Sequence, residues 1–141
     1  MDKTIESIYE DISLGEHSKR EFKENIHNID SLAAEMAAMA NKSGGIIYIG
    51  VADDSTLTGL DLSEIRRINQ LISNAASQHI RSPLSVTTQN IKLPNGRIII
   101  IIVIPEGIDK PYFDKNGIIW LKNGSDKRRI NSKEELRRIF Q

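Results

Sequence analysis

The sequence predicts an α/β (α+β) domain in which a mixed sheet with C-terminal antiparallel hairpins is packed with about four helices. Three observations support this fold class. Stretches with apolar residues at three- and four-residue spacing, typical of helices, alternate with short stretches rich in Ile and Val, typical of strands. Asn-Gly pairs at 95–96 and 116–117 separate strand-like segments and indicate antiparallel hairpins. The length of 141 residues fits one domain, residues 1–141, which would also suit the N-terminal module of a longer protein.

The first half of the chain contains four predicted elements in the order helix, strand, helix, strand: residues 3–14, 19–23, 30–40 and 46–51. The strand at 19–23 should turn Phe22 inward and place Glu21 and Lys23 on the opposite face. The second helix is apolar on nearly all sides, so we expect it to be buried. Its start is predicted at Asp30 or Ser31, either of which can cap a helix.

The second half contains a long helix, two hairpins and a final helix: residues 61–80, 86–93 with 97–104, 112–114 with 118–122, and 133–140. The run at 98–104 is apolar without alternation, which is typical of a central strand covered on both faces. Ser132 and Glu135 have the spacing of a capping box for the final helix.

Composition narrows the possible functions. The chain has no cysteine, which excludes disulfide scaffolds, Cys-ligated zinc and Cys nucleophiles. It has neither an N-terminal signal-like apolar stretch nor a run long enough to span a membrane, so we expect a cytoplasmic protein without membrane association. The net charge is zero, but residues 1–16 are acidic and residues 122–141 carry seven Lys and Arg against three acidic residues. A local basic surface is therefore hidden within a neutral chain.

The glycines at 44, 45 and 50 do not form a nucleotide-binding loop. Such loops run from a strand through the glycines into a helix, whereas here the glycines follow a helix and precede a strand. A turn that ends the helix and enters the strand is the better interpretation.

A group of carboxylates at Glu16, Glu21 and Asp53, with Lys23 beside them, is a candidate catalytic site. Converging carboxylates can hold Mg²⁺ or Mn²⁺, and a nearby lysine can neutralise a phosphate in the transition state. The alternative is an ordinary Glu–Lys pair on a solvated face and an aspartate turn after a strand.

The segment at 122–129 is a candidate contact for nucleic acid. It is predicted to be a basic loop with a Gly-Ser turn, and its polar residues suit phosphate-backbone binding. The candidate contact residues are Lys122, Ser125, Lys127, Arg128 and Arg129. The alternative is a solvated turn that keeps the edge of the sheet soluble.

Three segments resemble the Schlafen AlbA-like family of DNA-binding domains. They are residues 16–23 (EHSKREFK), residues 37–51 (AAMANKSGGIIYIGV) and Gly59-Leu60. Weaker likenesses at Pro111-Tyr112 and at residues 122–125 extend the resemblance to most of the chain. The resemblance implies a Schlafen AlbA-like fold and nucleic-acid binding, usually within bacterial or archaeal transcriptional regulators.

In animal relatives the resemblance also implies a divalent-metal endoribonuclease built from two Glu and one Asp. Those positions fall on Glu16, Glu21 and Asp53, with Asp54 as the substitute if the turn is shifted by one. The sequence departs from the family pattern at Ala52, where the family has an Asp, and at Lys122, where it has an Arg.

We therefore predict a nucleic-acid-binding domain, with DNA as the expected partner, of a transcriptional regulator. It needs no cofactor for this role. The alternative is a Schlafen-type endoribonuclease that uses Mg²⁺ or Mn²⁺. A third interpretation is a protein-interaction or dimerisation module, and a weak homodimer is expected.

Overall fold

The computed structural model describes residues 3–130 and 132–139. Within them lie four α-helices: α1 (Ile5–Leu14), α2 (Ile29–Ala40), α3 (Ile65–Gln78) and α4 (Lys133–Ile139). The strands in the same part of the chain are β1 (Arg20–Lys23), β2 (Gly45–Ile49), β3 (Ile80–Arg81), β4 (Thr87–Lys92), β5 (Ile98–Ile104), β6 (Phe113–Asp114), β7 (Trp120–Asn123) and β8 (Asp126–Arg129). No helix in the described ranges combines the length and the apolar character needed to cross a membrane.

The main sheet has the strand order β1-β2-β5-β4 and is mixed. Strand β1 runs parallel to β2, while β5 is antiparallel to both of its neighbours, β2 and β4. Two small antiparallel sheets, β3 with β6 and β7 with β8, complete the architecture. The predicted fold class is confirmed, and the apolar run at 98–104 is the central strand that the sequence indicates.

Helices cover both faces of the main sheet, and alternation along the strands decides which residues each helix meets. Ile47 and Ile49 of β2 pack with α2 and α3, whereas Tyr48 packs on the opposite face with Ile8 of α1. Because β1 pairs with β2 in parallel register, Glu21 lies beside Ile47 and Phe22 lies beside Tyr48. Glu21 is therefore carried onto the face covered by α2.

Helix α2 is the buried centre of the domain. Nine consecutive residues, from Leu32 to Ala40, are buried, and the many alanines allow neighbouring backbone to approach closely. The helix begins at Ile29, earlier than predicted, because Asn28 caps it by accepting a hydrogen bond from the backbone N–H of Ser31 at 3.0 Å. Gly44 ends the turn after α2 with a φ of 79°, and a Cβ there would lie 2.6 Å from the carbonyl oxygen of Ile104.

The C-terminal strands pair differently from the prediction. Residues 112–114 and 118–122 meet in one antiparallel bridge, between Phe113 and Ile119, rather than in a longer ladder. Strand β6 pairs with β3, and β7 pairs with β8. The side chain of Asp114 explains the break, since it accepts hydrogen bonds from the backbone N–H groups of Asn116 and Ile118 and from Nε1 of Trp120. The chain is thus held in a tight turn after β6, and β7 becomes free to pair with the next segment.

Candidate nucleic-acid interface

The β7–β8 hairpin contains the predicted contact residues. Its two strands pair antiparallel, with Asn123 opposite Asp126 and with Gly124 and Ser125 in the turn. Gly124 has a φ of 64°, a conformation that glycine adopts without steric cost. The sequence predicts a loop here, and the structure corrects this, because the tight turn lets the chain fold back onto β7 as a strand.

Strand alternation separates the three consecutive cations of β8. Lys127 and Arg129 lie on the same face as Trp120, with the Lys127 Nζ 5.9 Å and the Arg129 guanidinium carbon 5.6 Å from the centre of its ring. Arg128 lies on the other face and forms an ion pair with Glu135 of α4. Each of these three cations is at least partly exposed, so cations lie on both faces of the hairpin, and the one on the second face is paired with Glu135.

Lys122 does not belong to that exposed surface. The residue is only 1% exposed, and its Nζ lies 3.1 Å from a carboxylate oxygen of Glu21 and 3.1 Å from one of Glu35. It also donates to the backbone carbonyl of Ser125 at 2.9 Å. The expectation that Lys122 contacts phosphate is wrong for this structure, because two buried carboxylates already surround its ammonium group.

Glu21 is likewise buried rather than solvated, at 6% exposure. Its second carboxylate oxygen lies 3.3 Å from Nζ of the half-buried Lys23, so the predicted Glu–Lys pair is present. Burial alone would raise the pKa of Glu21, but hydrogen bonds from neighbouring Glu35 and Glu16 and the charge of Lys122 outweigh burial and lower it. For Lys122, burial would lower the pKa, and the two carboxylates raise it instead.

Glu35 completes this buried cluster and was not identified from the sequence. It projects from α2, is 5% exposed, and its Oε2 is the one buried side-chain oxygen without a hydrogen-bond partner in the described part of the chain. Burial and the carboxylate of Glu21 raise its pKa to about 6. The sequence does contain an indication of this role: Glu35 is the one charged residue in the apolar stretch 32–40. A charged residue in a buried helix has no access to water and therefore needs a partner inside the protein.

The carboxylates predicted as metal ligands do not form one cluster. Glu16 interacts with Glu21, and burial together with Glu21 raises the pKa of Glu16. Asp53 lies apart from Glu21, in an exposed turn; with Glu16 it lines a separate cavity of about 220 Å³. No group of three Asp, Glu, His or Cys side chains within residues 3–130 and 132–139 has an arrangement suited to a metal ion. The donor set therefore does not fit a three-carboxylate metal centre, and Lys122 and Lys23 already neutralise Glu21.

Two clefts flank the hairpin. One, of about 250 Å³, lies on the side of Lys23 and Lys127. The other, of about 450 Å³, lies between the hairpin, α4 and the turn after α2, and its lining includes Arg128 and Arg138. Lys127 and Arg128 of β8 therefore border concave surfaces on opposite sides of the hairpin.

The comparison with family models identifies this arrangement. The model of the family described as Schlafen, AlbA_2 matches residues 16–131. The chain belongs to this family. The matched range contains the eight strands described above, including both strands of the β7–β8 hairpin, while α1 and α4 lie outside it.

Solved structures show that the Schlafen AlbA_2 fold is shared with distant relatives. One is the N-terminal domain of a Nitrosomonas europaea protein described as related to the ATP-dependent DNA helicase RecG. It is 20% identical, with a TM-score of 0.58, over 94% of this chain and 97% of that domain. The DIP2311 protein of Corynebacterium diphtheriae is also 20% identical, with a TM-score of 0.52 over 92% of this chain, which spans only 23% of the DIP2311 chain. No curated protein sequence matches this chain.

Proposed function

We propose that this Schlafen AlbA_2 domain binds nucleic acid, with DNA as the expected partner, through phosphate contacts of the β7–β8 hairpin. The observation that carries the proposal is the placement of three at least partly exposed cations, Lys127, Arg128 and Arg129, on the two faces of one hairpin. Phosphate contacts require exposed cations and polar hydrogens rather than a high net charge of the whole domain.

The turn of the hairpin adds to this surface. Ser125 is exposed at the tip, where its hydroxyl can donate to a phosphate oxygen. Its backbone carbonyl accepts from the buried Nζ of Lys122, so the turn is tied to the body of the domain. Lys122 thus holds the turn of the hairpin in place and does not itself contact the phosphate.

The surroundings of Trp120 favour contact with the phosphate backbone over stacking with bases. The ring is half-buried, its Nε1 donates to Asp114, and Lys127 and Arg129 occupy positions over it. An exposed, uncovered ring is what base stacking requires. The proposed interaction is therefore largely independent of base sequence, and any sequence preference comes from elsewhere in the protein.

The wider role follows from the family. A DNA-binding module of this size suits a cytoplasmic transcriptional regulator, in which another part of the protein carries the regulatory activity. The similar fold in the Nitrosomonas europaea structure belongs to a protein named as related to an ATP-dependent DNA helicase, which is consistent with this proposal. A weak homodimer, which would double the basic surface, stays a prediction. Sedimentation at micromolar concentration showing only a 15.9 kDa species would contradict it.

Nuclear magnetic resonance titration tests the proposed surface directly. A short duplex and a single strand of the same sequence should each shift the backbone amides of β7, β8 and their turn. The amides of α1 provide the control, because α1 packs on the opposite face of the main sheet. Shifts confined to α1, or no shifts at low salt with either probe, would contradict the proposal.

A further inference from the structure

The larger of the two clefts beside the hairpin is lined by more cations than acidic residues. It is bordered by five parts of the fold: the turn after α2, the loop between β5 and β6, strands β7 and β8, and helix α4. Among the described residues that line it, five are cations: Lys42, Lys110, Lys122, Arg128 and Arg138. Lys122 is the buried one, paired with Glu21 and Glu35. Two are acidic, so the lining carries more positive than negative charge.

The two acidic residues are each held against one of the cations. Glu106 lies 2.9 Å from Nζ of Lys110, and Glu135 forms the ion pair with Arg128. Lys42 and Arg138 are exposed, and the Nζ of Lys42 donates to the backbone carbonyl of Lys122 at 3.3 Å. Two positive charges thus lie in the cleft in addition to the two ion pairs.

The carboxylate of Glu135 resembles the anion that such a cleft would select. It reaches from α4 to the guanidinium of Arg128, and Arg side chains bind carboxylate and phosphate oxygens with the same planar donor geometry. A phosphate that enters the cleft can replace Glu135 on Arg128 and gain contacts with Arg138 and Lys42. The internal ion pair then acts as a competitor that sets how tightly the phosphate is held.

We propose that this cleft is a phosphate-binding site for one nucleotide of a nucleic-acid strand, and that Glu135 competes with the phosphate for Arg128. This inference rests on the proposed nucleic-acid binding and assigns one backbone phosphate to a defined place. It goes beyond the hairpin itself, because the contacts come from α4 and from the turn after α2.

The competition predicts a gain of affinity, which loss of packing would not produce. Glu135→Gln removes the competing charge but keeps the backbone N–H that donates to the capping hydroxyl of Ser132, so α4 should persist. We expect this variant to bind inorganic phosphate and a short oligonucleotide more tightly than the parent protein. Arg138→Gln should bind both more weakly, with the slope of log K against log salt reduced by about one for the oligonucleotide.

Matched controls separate these effects from a general change of charge. Glu6→Gln removes an exposed carboxylate on α1, and Lys92→Gln removes an exposed cation on the edge strand β4. Neither residue lines the cleft. Phosphate binding is followed by the amide shifts of Ser43 and Arg138, with chloride at equal ionic strength as the reference.

The outcomes distinguish this site from the proposed function. Saturable phosphate shifts in the cleft, strengthened by Glu135→Gln and weakened by Arg138→Gln, with oligonucleotide affinity following the same order, support the inference. If oligonucleotides bind but Glu135→Gln behaves as Glu6→Gln does, the phosphate site is overturned and hairpin binding stands. If phosphate shifts the cleft while no oligonucleotide binds, the site is a receptor for free phosphate compounds and nucleic-acid binding is overturned.

Discussion

Replacing Glu35 with Gln should change how the stability of the domain depends on pH. Glu35 is buried beside Glu21 and Lys122, and burial together with the charge of Glu21 raises its pKa from 4.5 to about 6. The folded state therefore holds this proton more tightly than the unfolded chain does. Its contribution to stability is fully present below pH 4.5 and is lost as the pH rises through about 6.

The size of the effect follows from that difference in pKa. A rise of this extent corresponds to about 2 kcal/mol in the free energy of unfolding. Glu21 works in the opposite direction, because its lowered pKa gives stability that is lost as the pH falls. Glu35→Gln keeps Glu21 and has a side-chain N–H that can donate to it, so the pH dependence of the difference between the two proteins reports mainly on Glu35.

Urea denaturation across the range from below pH 4.5 to neutral pH measures this difference. The parent should gain stability relative to Glu35→Gln as the pH falls, by about 2 kcal/mol over the whole range. Glu6→Gln controls for the loss of one carboxylate from the protein. A difference between parent and Glu35→Gln that stays constant with pH, or that changes in the opposite direction, would refute the proposed environment of Glu35.

Three further predictions follow from the same structure. Lys122→Met should lower the free energy of unfolding by about 3–5 kcal/mol, because it leaves two carboxylates buried without their cation; urea denaturation should show a smaller loss when Glu35→Gln is already present. Gly44→Ala should lower the melting temperature much more than Gly96→Ala, since both glycines have positive φ but only a Cβ at Gly44 meets backbone atoms. Adding Mn²⁺ should leave the melting temperature unchanged, and a rise that Glu21→Gln abolishes would show that the carboxylates do converge on a metal.

Local patterns in the sequence were sufficient to predict much of the fold. The apolar run at 98–104 predicts a central strand because only a strand covered on both faces buries consecutive isoleucines. The predicted cap of the final helix is present in one of its two hydrogen bonds, the one from the Glu135 backbone N–H to the Ser132 hydroxyl, while the Glu135 carboxylate pairs with Arg128. Each of these signals depends on residues close together in the chain.

Pairing between distant segments was harder to predict. The alternating residues near Trp120 indicate a strand, but they do not determine whether its partner is β6 or β8. That choice depends on the turn closed by the side chain of Asp114, which competes with extension of the ladder. In the sequence, the polar residues that close this turn are harder to recognise than two segments that both have a strand pattern.

The candidate site was predicted only in part, for a related reason. Lysine at position 122 looks like a surface cation, since Lys is rarely buried unless it is paired. Its partners, Glu21 and Glu35, lie about a hundred and about ninety positions away along the chain. The register of β1 against β2 turns Glu21 toward α2, and no pattern local to either strand contains that information.

The salt dependence of nucleic-acid affinity is the most direct test of the account. The triple variant Lys127→Gln, Arg128→Gln, Arg129→Gln removes the exposed charge of β8. Its control removes three exposed cations from other parts of the chain: Lys19, Arg66 and Lys92. We predict that only the β8 variant loses affinity similarly for all sequences, with the log–log salt slope reduced by roughly one for each lost phosphate contact. Equal affinity and equal slope for the β8 variant and the parent, at both low and high salt, would contradict the assignment of the hairpin as the nucleic-acid contact.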